Sequence, residues 1–145
     1  MKTAARFLIL AALALGLLRP VSAATTSGQP DLLTNYVKIQ AALAADDLKA
    51  AQSAASDLST QAAAAKQQDV AAKATAVAKA GKIADARKEF KALSTAVEPL
   101  AEKRDDLVVM YCPMANADWV QAKGSVANPY YGKMMLTCGA PKNAK

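Results

Sequence analysis

Ile83-Ala84-Asp85-Ala86-Arg87-Lys88-Glu89-Phe90-Lys91-Ala92-Leu93-Ser94-Thr95-Ala96-Val97-Glu98-Pro99-Leu100 is the stretch that decides the fold class. Ile83, Ala86, Phe90, Leu93, Val97 and Leu100 recur at alternating spacings of three and four, the signature of one apolar helix face. The helix is expected to run to about Glu102, with Pro99 placed to kink its end. Upstream, Gln61 to Ala80 is almost entirely Ala, Lys, Gln and Val, a default helix by propensity, with a weak face of Val70, Ala74 and Val77 and a stop at Gly81. Leu48, Ala51, Ala55, Leu58 and Ala62 form another stripe, for which Asp46 is placed as the cap. Before it, Asp31 opens a pattern carried by Leu33, Tyr36, Val37, Gln40 and Leu43. The sequence therefore predicts an all-α fold: an up-and-down bundle of three or four Ala-rich helices, with a C-terminal loop-rich Cys/Met/aromatic lobe packed on it. There is no βαβ alternation and no Gly-rich phosphate loop.

The first two dozen residues read differently. Lys2 and Arg6 precede the apolar run Phe7–Leu18, and Val21-Ser22-Ala23 is a small-residue cleavage site. That combination reads as a secretory signal peptide over 1–23 and implies an exported protein. The run falls short of the roughly 20 apolar residues a bilayer span needs. A polar arm over 24–30 is expected to be disordered. One helical domain then occupies 31–145, its lobe beginning at 105. Without the leader, 15 basic groups face 12 acidic ones, a net +3 in place of the whole chain's +6. So modest a charge argues against a nucleic-acid partner. The 122 residues after Ala23 include 30 alanines, which bury little area each, so the core is expected to be thin.

Lys66 to Lys91 holds seven basic groups against three acidic ones. That density suits either the solvated faces of helices or attraction to an anionic surface. Histidine is absent from the chain. That excludes Ser-His-Asp and Cys-His nucleophile pairs, a His general base and His-ligated zinc. A thiol oxidoreductase is also disfavoured, because the two cysteines lie 26 positions apart and not in Cys-x-x-Cys. The chain is not expected to be an enzyme.

Composition changes after Asp105-Asp106. Both cysteines, the single Trp, three of four Tyr and every Met except the first fall between Met110 and Cys138. Four thioethers and two thiols close together are the soft donors that favour Cu(I) and Ag(I).

Cys112-Pro113-Met114-Ala115, Trp119, Asn128-Pro129-Tyr130-Tyr131-Gly132, Met134-Met135 and Cys138-Gly139 resemble the signature of a bacterial domain of unknown function. That domain occurs alone behind a signal peptide, or at the C-terminus of membrane-fusion adaptors of copper/silver efflux pumps. In the family it follows an Ala-rich helical region, as here over 31–104. The resemblance implies a periplasmic location and a link to heavy-metal handling, copper above all; it implies no established activity. Two departures stand out. Relatives often carry a His beside Cys-Pro-Met, where this chain has Tyr111, and the stretch between Ala115 and Trp119 is shorter here. No adaptor hairpin or barrel precedes the domain, which argues against this chain being the adaptor itself.

Two readings of the sulfur residues remain open at this point. In the first, Cys112 and Cys138 act as thiolates toward Cu(I) or Ag(I), with Met114 and Met134 or Met135 as thioether ligands. In the second, they form a disulfide, and no metal is held. A Cys112–Cys138 bridge would close a loop of about 27 residues, worth roughly 3.5 kcal/mol by chain entropy. Met110, Met114, Met134 and Met135 would then be packing, Trp119 the lobe's anchor and Asn128-Pro129 turn chemistry. Trp119, Tyr130 and Tyr131 would be candidate contacts for a protein partner, an efflux adaptor or another periplasmic protein.

Overall fold

The computed structural model describes residues 31–142; the expected leader and arm lie outside them. Among the described residues there are four helices: α1 (Leu32–Ala44), α2 (Leu48–Ala64), α3 (Gln68–Ala78) and α4 (Ile83–Ala101). Links of three or four residues make each helix pack on the next, and α4 returns onto α1. No helix among the described residues is long and apolar enough to cross a membrane.

The helix ends correct two expectations. Asp46 does not cap α2. It takes a left-handed conformation, φ 63°, at the residue closing α1, with Asp47 N–H bonding to Ala42 O and Asp46 N–H to Leu43 O. Asp47 is the cap, its carboxylate accepting from Ala50 N–H at 2.9 Å. The same closure recurs where one Ala-rich helix was expected to run on from Gln61. Lys66 sits at φ 60°, Gln67 N–H bonds to Ala62 O, and the chain reverses. The reason is length. A continuous helix over 48–80 would span about 50 Å against roughly 29 Å for α4, leaving Val70 and Val77 overhanging the bundle. Folding back buries Val70, Ala71, Ala74 and Val77. Propensity favours helix on both sides of the turn and is silent about the turn itself.

The fold is also not purely α. The C-terminal part holds three strands in the order β2-β1-β3, all antiparallel: β1 (Leu107–Cys112), β2 (Ala117–Ala122) and the short β3 (Ala140–Pro141). Cys112-Pro113-Met114-Ala115 is therefore the tip of a β-hairpin, turned by Asn116 at φ 46°. Leu-Val-Val-Met-Tyr-Cys is rich in β-formers, but it is too short for alternation to distinguish it from loop.

An aromatic chain joins lobe to bundle. Tyr36 stacks on Phe90 at 5.1 Å, Phe90 meets Tyr130 at 6.0 Å, and Tyr130 meets the edge of Trp119 at 6.0 Å. The Tyr36 hydroxyl hydrogen-bonds Ser94 at 2.7 Å and accepts from Val120 N–H of β2. Burial pushes both the Tyr36 and Tyr130 phenols above their ordinary range, so they stay neutral. Polar ties complete the docking. Gln40 donates to Ala127 O, Arg87 donates to Pro129 O, and Lys142 pairs with Glu98 and Asp118, fastening the C-terminal strand.

Three aspartates make the fold sensitive to acid. Arg87 and the Lys133 N–H hold the Asp46 carboxyl below the usual range. Arg104 does the same for Asp106. At Asp31 burial pushes upward, but Arg104 and Thr34 outweigh it and the net shift is also down. Folded values below the unfolded ones mean stability that is present above about pH 4 and lost as pH falls through the folded values. The urea midpoint should therefore fall between about pH 4 and pH 2, and Asp46→Asn should flatten part of that fall. A midpoint constant over this range would show that these pairs contribute nothing.

Candidate functional site

The hairpin tip and the last loop bring the two cysteines together. Cys112 ends β1 and is fully buried, while Cys138 is half-exposed. Their Sγ atoms are 3.3 Å apart and unbonded. Two devices hold them there. The Ala115 N–H, folded back by the Pro113–Asn116 turn, donates to Cys112 Sγ at 3.4 Å. On the other side, buried Asn128 donates from Nδ2 to Cys138 O at 2.6 Å. The same Asn128 accepts from the N–H groups of Tyr130 and Tyr131 through Oδ1. Asn128-Pro129-Tyr130-Tyr131 is thus an Asx turn whose free amide clamps the second cysteine. Gly132 ends that turn at φ 55°, a backbone that suits glycine, against the side-chain ends of Asp46 and Arg87.

The two thiols are not equivalent. Burial pushes the Cys112 thiol up, but the Ala115 N–H and the Cys138 thiol outweigh it and bring it below the ordinary value. Cys138 moves the other way, because its proton bonds to Cys112. Of the two, Cys112 is the thiol that gives up its proton more readily. A separation of 3.3 Å lies between two end states. A disulfide requires about 2.05 Å. Two thiolates on one tetrahedral ion at about 2.3 Å would stand roughly 3.8 Å apart.

The methionines divide. Met110 is buried opposite Trp119 in the β1–β2 register and serves packing. Met114 at the hairpin tip is 65% exposed and Met134 is 81% exposed, with Met135 half-buried behind it. Among the described residues no three of His, Cys, Asp or Glu gather as a metal cage. Any ion here would rest on the two thiols and on thioethers. The aromatic residues divide too. Trp119 is fully buried and Tyr130 nearly so, because they form the seam between lobe and α4 and are not offered to a partner. Tyr131 is half-exposed, its hydroxyl bonding to Met114 O, and Tyr111 is exposed on β1.

A family model described as a protein of unknown function, DUF3347, matches residues 32–107. The chain belongs to the DUF3347 family. The matched segment is the four helices and the first residue of β1, so DUF3347 membership rests on the Ala-rich bundle and not on the Cys, Met and aromatic residues that follow. No curated protein and no solved structure matches the chain. Sequence reasoning missed the roles of Asn128 and Ala115 at the sulfur pair. An Asx turn is visible in Asn-Pro, but what its free amide reaches, ten residues on, is not.

Proposed function

We propose that this protein holds or passes a soft monovalent cation, Cu(I) or Ag(I), on the thiolates of Cys112 and Cys138, in the periplasm and in support of heavy-metal efflux or tolerance. The observation that carries the reading is the sulfur pair itself: 3.3 Å apart, unbonded, and carrying a thiolate-favouring donor at Cys112. Soft sulfur ligands select Cu(I), and two or three suffice without histidine. Met114, two residues beyond Cys112, and Met134 or Met135, shortly before Cys138, are the thioethers proposed to complete the set, on their nearness in the chain. Exposed Met114 and Met134 suit capture and release more than permanent storage. The leader-like N-terminus and the resemblance of the C-terminal motifs to the efflux-associated domain support the location and the purpose.

The alternative is a disulfide-stapled interaction domain that binds an efflux adaptor without metal. It is favoured by one observation: among the described residues the exposed large apolar ones, Tyr111, Met114, Met134 and Leu136, all lie in the lobe. Closing the bridge needs an approach of about 1.3 Å.

Anaerobic Cu(I) titration of reduced and oxidised protein separates the two readings. Reduced protein is expected to take up one ion tightly, and Cys112→Ser/Cys138→Ser and the oxidised form to lose that uptake by about a hundredfold or more, at least about 2.8 kcal/mol of binding. Equal uptake by the double variant would sink the metal reading and leave the cysteines as a staple.

A further inference from the structure

Three of the seven basic groups between Lys66 and Lys91 line one cleft. Arg87, Lys88 and Lys91, with Ala84, fall at i, i+3, i+4 and i+7 on one face of α4, and that face looks across a cleft of about 280 Å³ at Met114 and Tyr131 of the lobe. No carboxylate lines the cleft. Asp46 lies behind it, on Arg87, whose guanidinium also bonds Leu43 O and Pro129 O. Lys88 is exposed and has no ion pair among the described residues. Lys91 donates to Ala115 O at 2.6 Å and lies 5.7 Å from the Tyr130 ring centre. Ala115 is also the residue whose N–H holds Cys112 Sγ. One peptide segment thus joins the cationic cleft to the sulfur pair.

We propose that this cleft is the docking groove for an acidic, extended segment of a partner protein, the one that exchanges metal with the cysteines. The purpose rests on the sulfur-site reading; the docking does not. Positions 84 to 91 span about 10 Å of helix, the length of about three extended residues. Carboxylates of such a segment meet Lys88 and Lys91, while Arg87, already paired with Asp46, shapes the groove and Met114 supplies the apolar wall. A flat anionic membrane fits less well, because the lobe walls one side and Arg87 is half-buried and already bonded. Docking here places the partner against the hairpin tip beside Cys112.

The test uses reduced, metal-free protein and a fluorescein-labelled peptide with four consecutive glutamates, read by anisotropy at low salt. Ala84→Glu adds a carboxylate to the cleft at an exposed position in the first turn of α4, where acids are favourable, and removes no bond. Ala84→Glu and Lys88→Glu are each expected to weaken binding by about tenfold or more, through like-charge repulsion. Lys79→Glu and Lys103→Glu, exposed and outside the cleft, should change it by less than about twofold. Equal weakening by all four would mean general charge attraction and overturn the proposal. So would binding to phosphatidylglycerol vesicles with none to the peptide, or no peptide binding at all. Since no metal is present, these outcomes stand apart from the Cu(I) titration.

Discussion

Replacing Trp119 by alanine is expected to cost about 3–5 kcal/mol, a large share of the stability of a domain this size. The side chain is fully buried and is the largest in the core. It meets Tyr130 edge-on, lies under the backbone of Gly139 and donates from Nε1 to Gln121 Oε1 at 3.0 Å. Truncation leaves a cavity where the lobe meets α4 and takes a donor from a buried amide. Because the substitution also removes the only tryptophan, the measurement is urea or thermal unfolding followed by far-ultraviolet circular dichroism. A fall of about 15–25 °C in Tm is expected. Trp119→Phe should keep part of the packing and fall between the two. A loss below about 1 kcal/mol in Trp119→Ala would mean that the lobe does not depend on this anchor.

The second large effect is expected at Gly139, and the protein supplies its own control. Gly139 and Gly124 have nearly the same backbone, φ 139° and 144°, a region that side chains rarely enter. A Cβ at Gly124 meets open space. At Gly139 it would overlap Trp119 Cη2 and lie 3.1 Å from Tyr111 O, a rigid ring and a backbone atom that cannot move aside cheaply. Gly124→Ala should therefore cost the strain alone, about 1 kcal/mol, while Gly139→Ala should cost about 3–5 kcal/mol. Equal losses in the two variants would show that the Trp119 contact is loose. Because Gly139 follows Cys138, its variant should also disturb the sulfur pair, and in the Cu(I) titration it should bind more weakly than Gly124→Ala. The close packing of Gly139 on Trp119 explains why a Gly follows the second cysteine.

Much of the bundle was legible from residue spacing. The α4 stripe from Ile83 to Leu100 buries Ala86, Phe90, Leu93 and Val97 as its three-and-four spacing implies, since helical periodicity depends only on local geometry. The pattern expected to open at Asp31 does start there, with Asp31 capping α1 by accepting from Leu33 N–H. The turn at Lys66 was hidden because propensity is equally high on both sides of it. The identity of the α2 cap was hidden because Asp46 and Asp47 are both good caps, and only the closure of α1 decides which one is free. The strands escaped because six-residue runs carry little periodic signal and gain their stability from a partner strand.

For the site, composition alone singled out the C-terminal segment. Cysteines, methionines and aromatics are too unevenly placed between Met110 and Cys138 to escape notice, and soft-donor chemistry follows from residue type. Roles within the segment came from packing. Trp119, Tyr130 and Met110 went inside, and Met114 and Met134 stayed out, because the seam with α4 has room only for some of them. The meeting of Cys112 with Cys138, the amide that clamps one and the main-chain N–H that holds the other, and the facing of three α4 cations toward Met114, join residues from 3 to 27 positions apart. What the sequence determined by itself was what local forces decide: helix stripes and the chemical character of the sulfur-rich segment. Which of those side chains share a site was decided only by the tertiary structure, because contacts between distant residues depend on how whole elements pack.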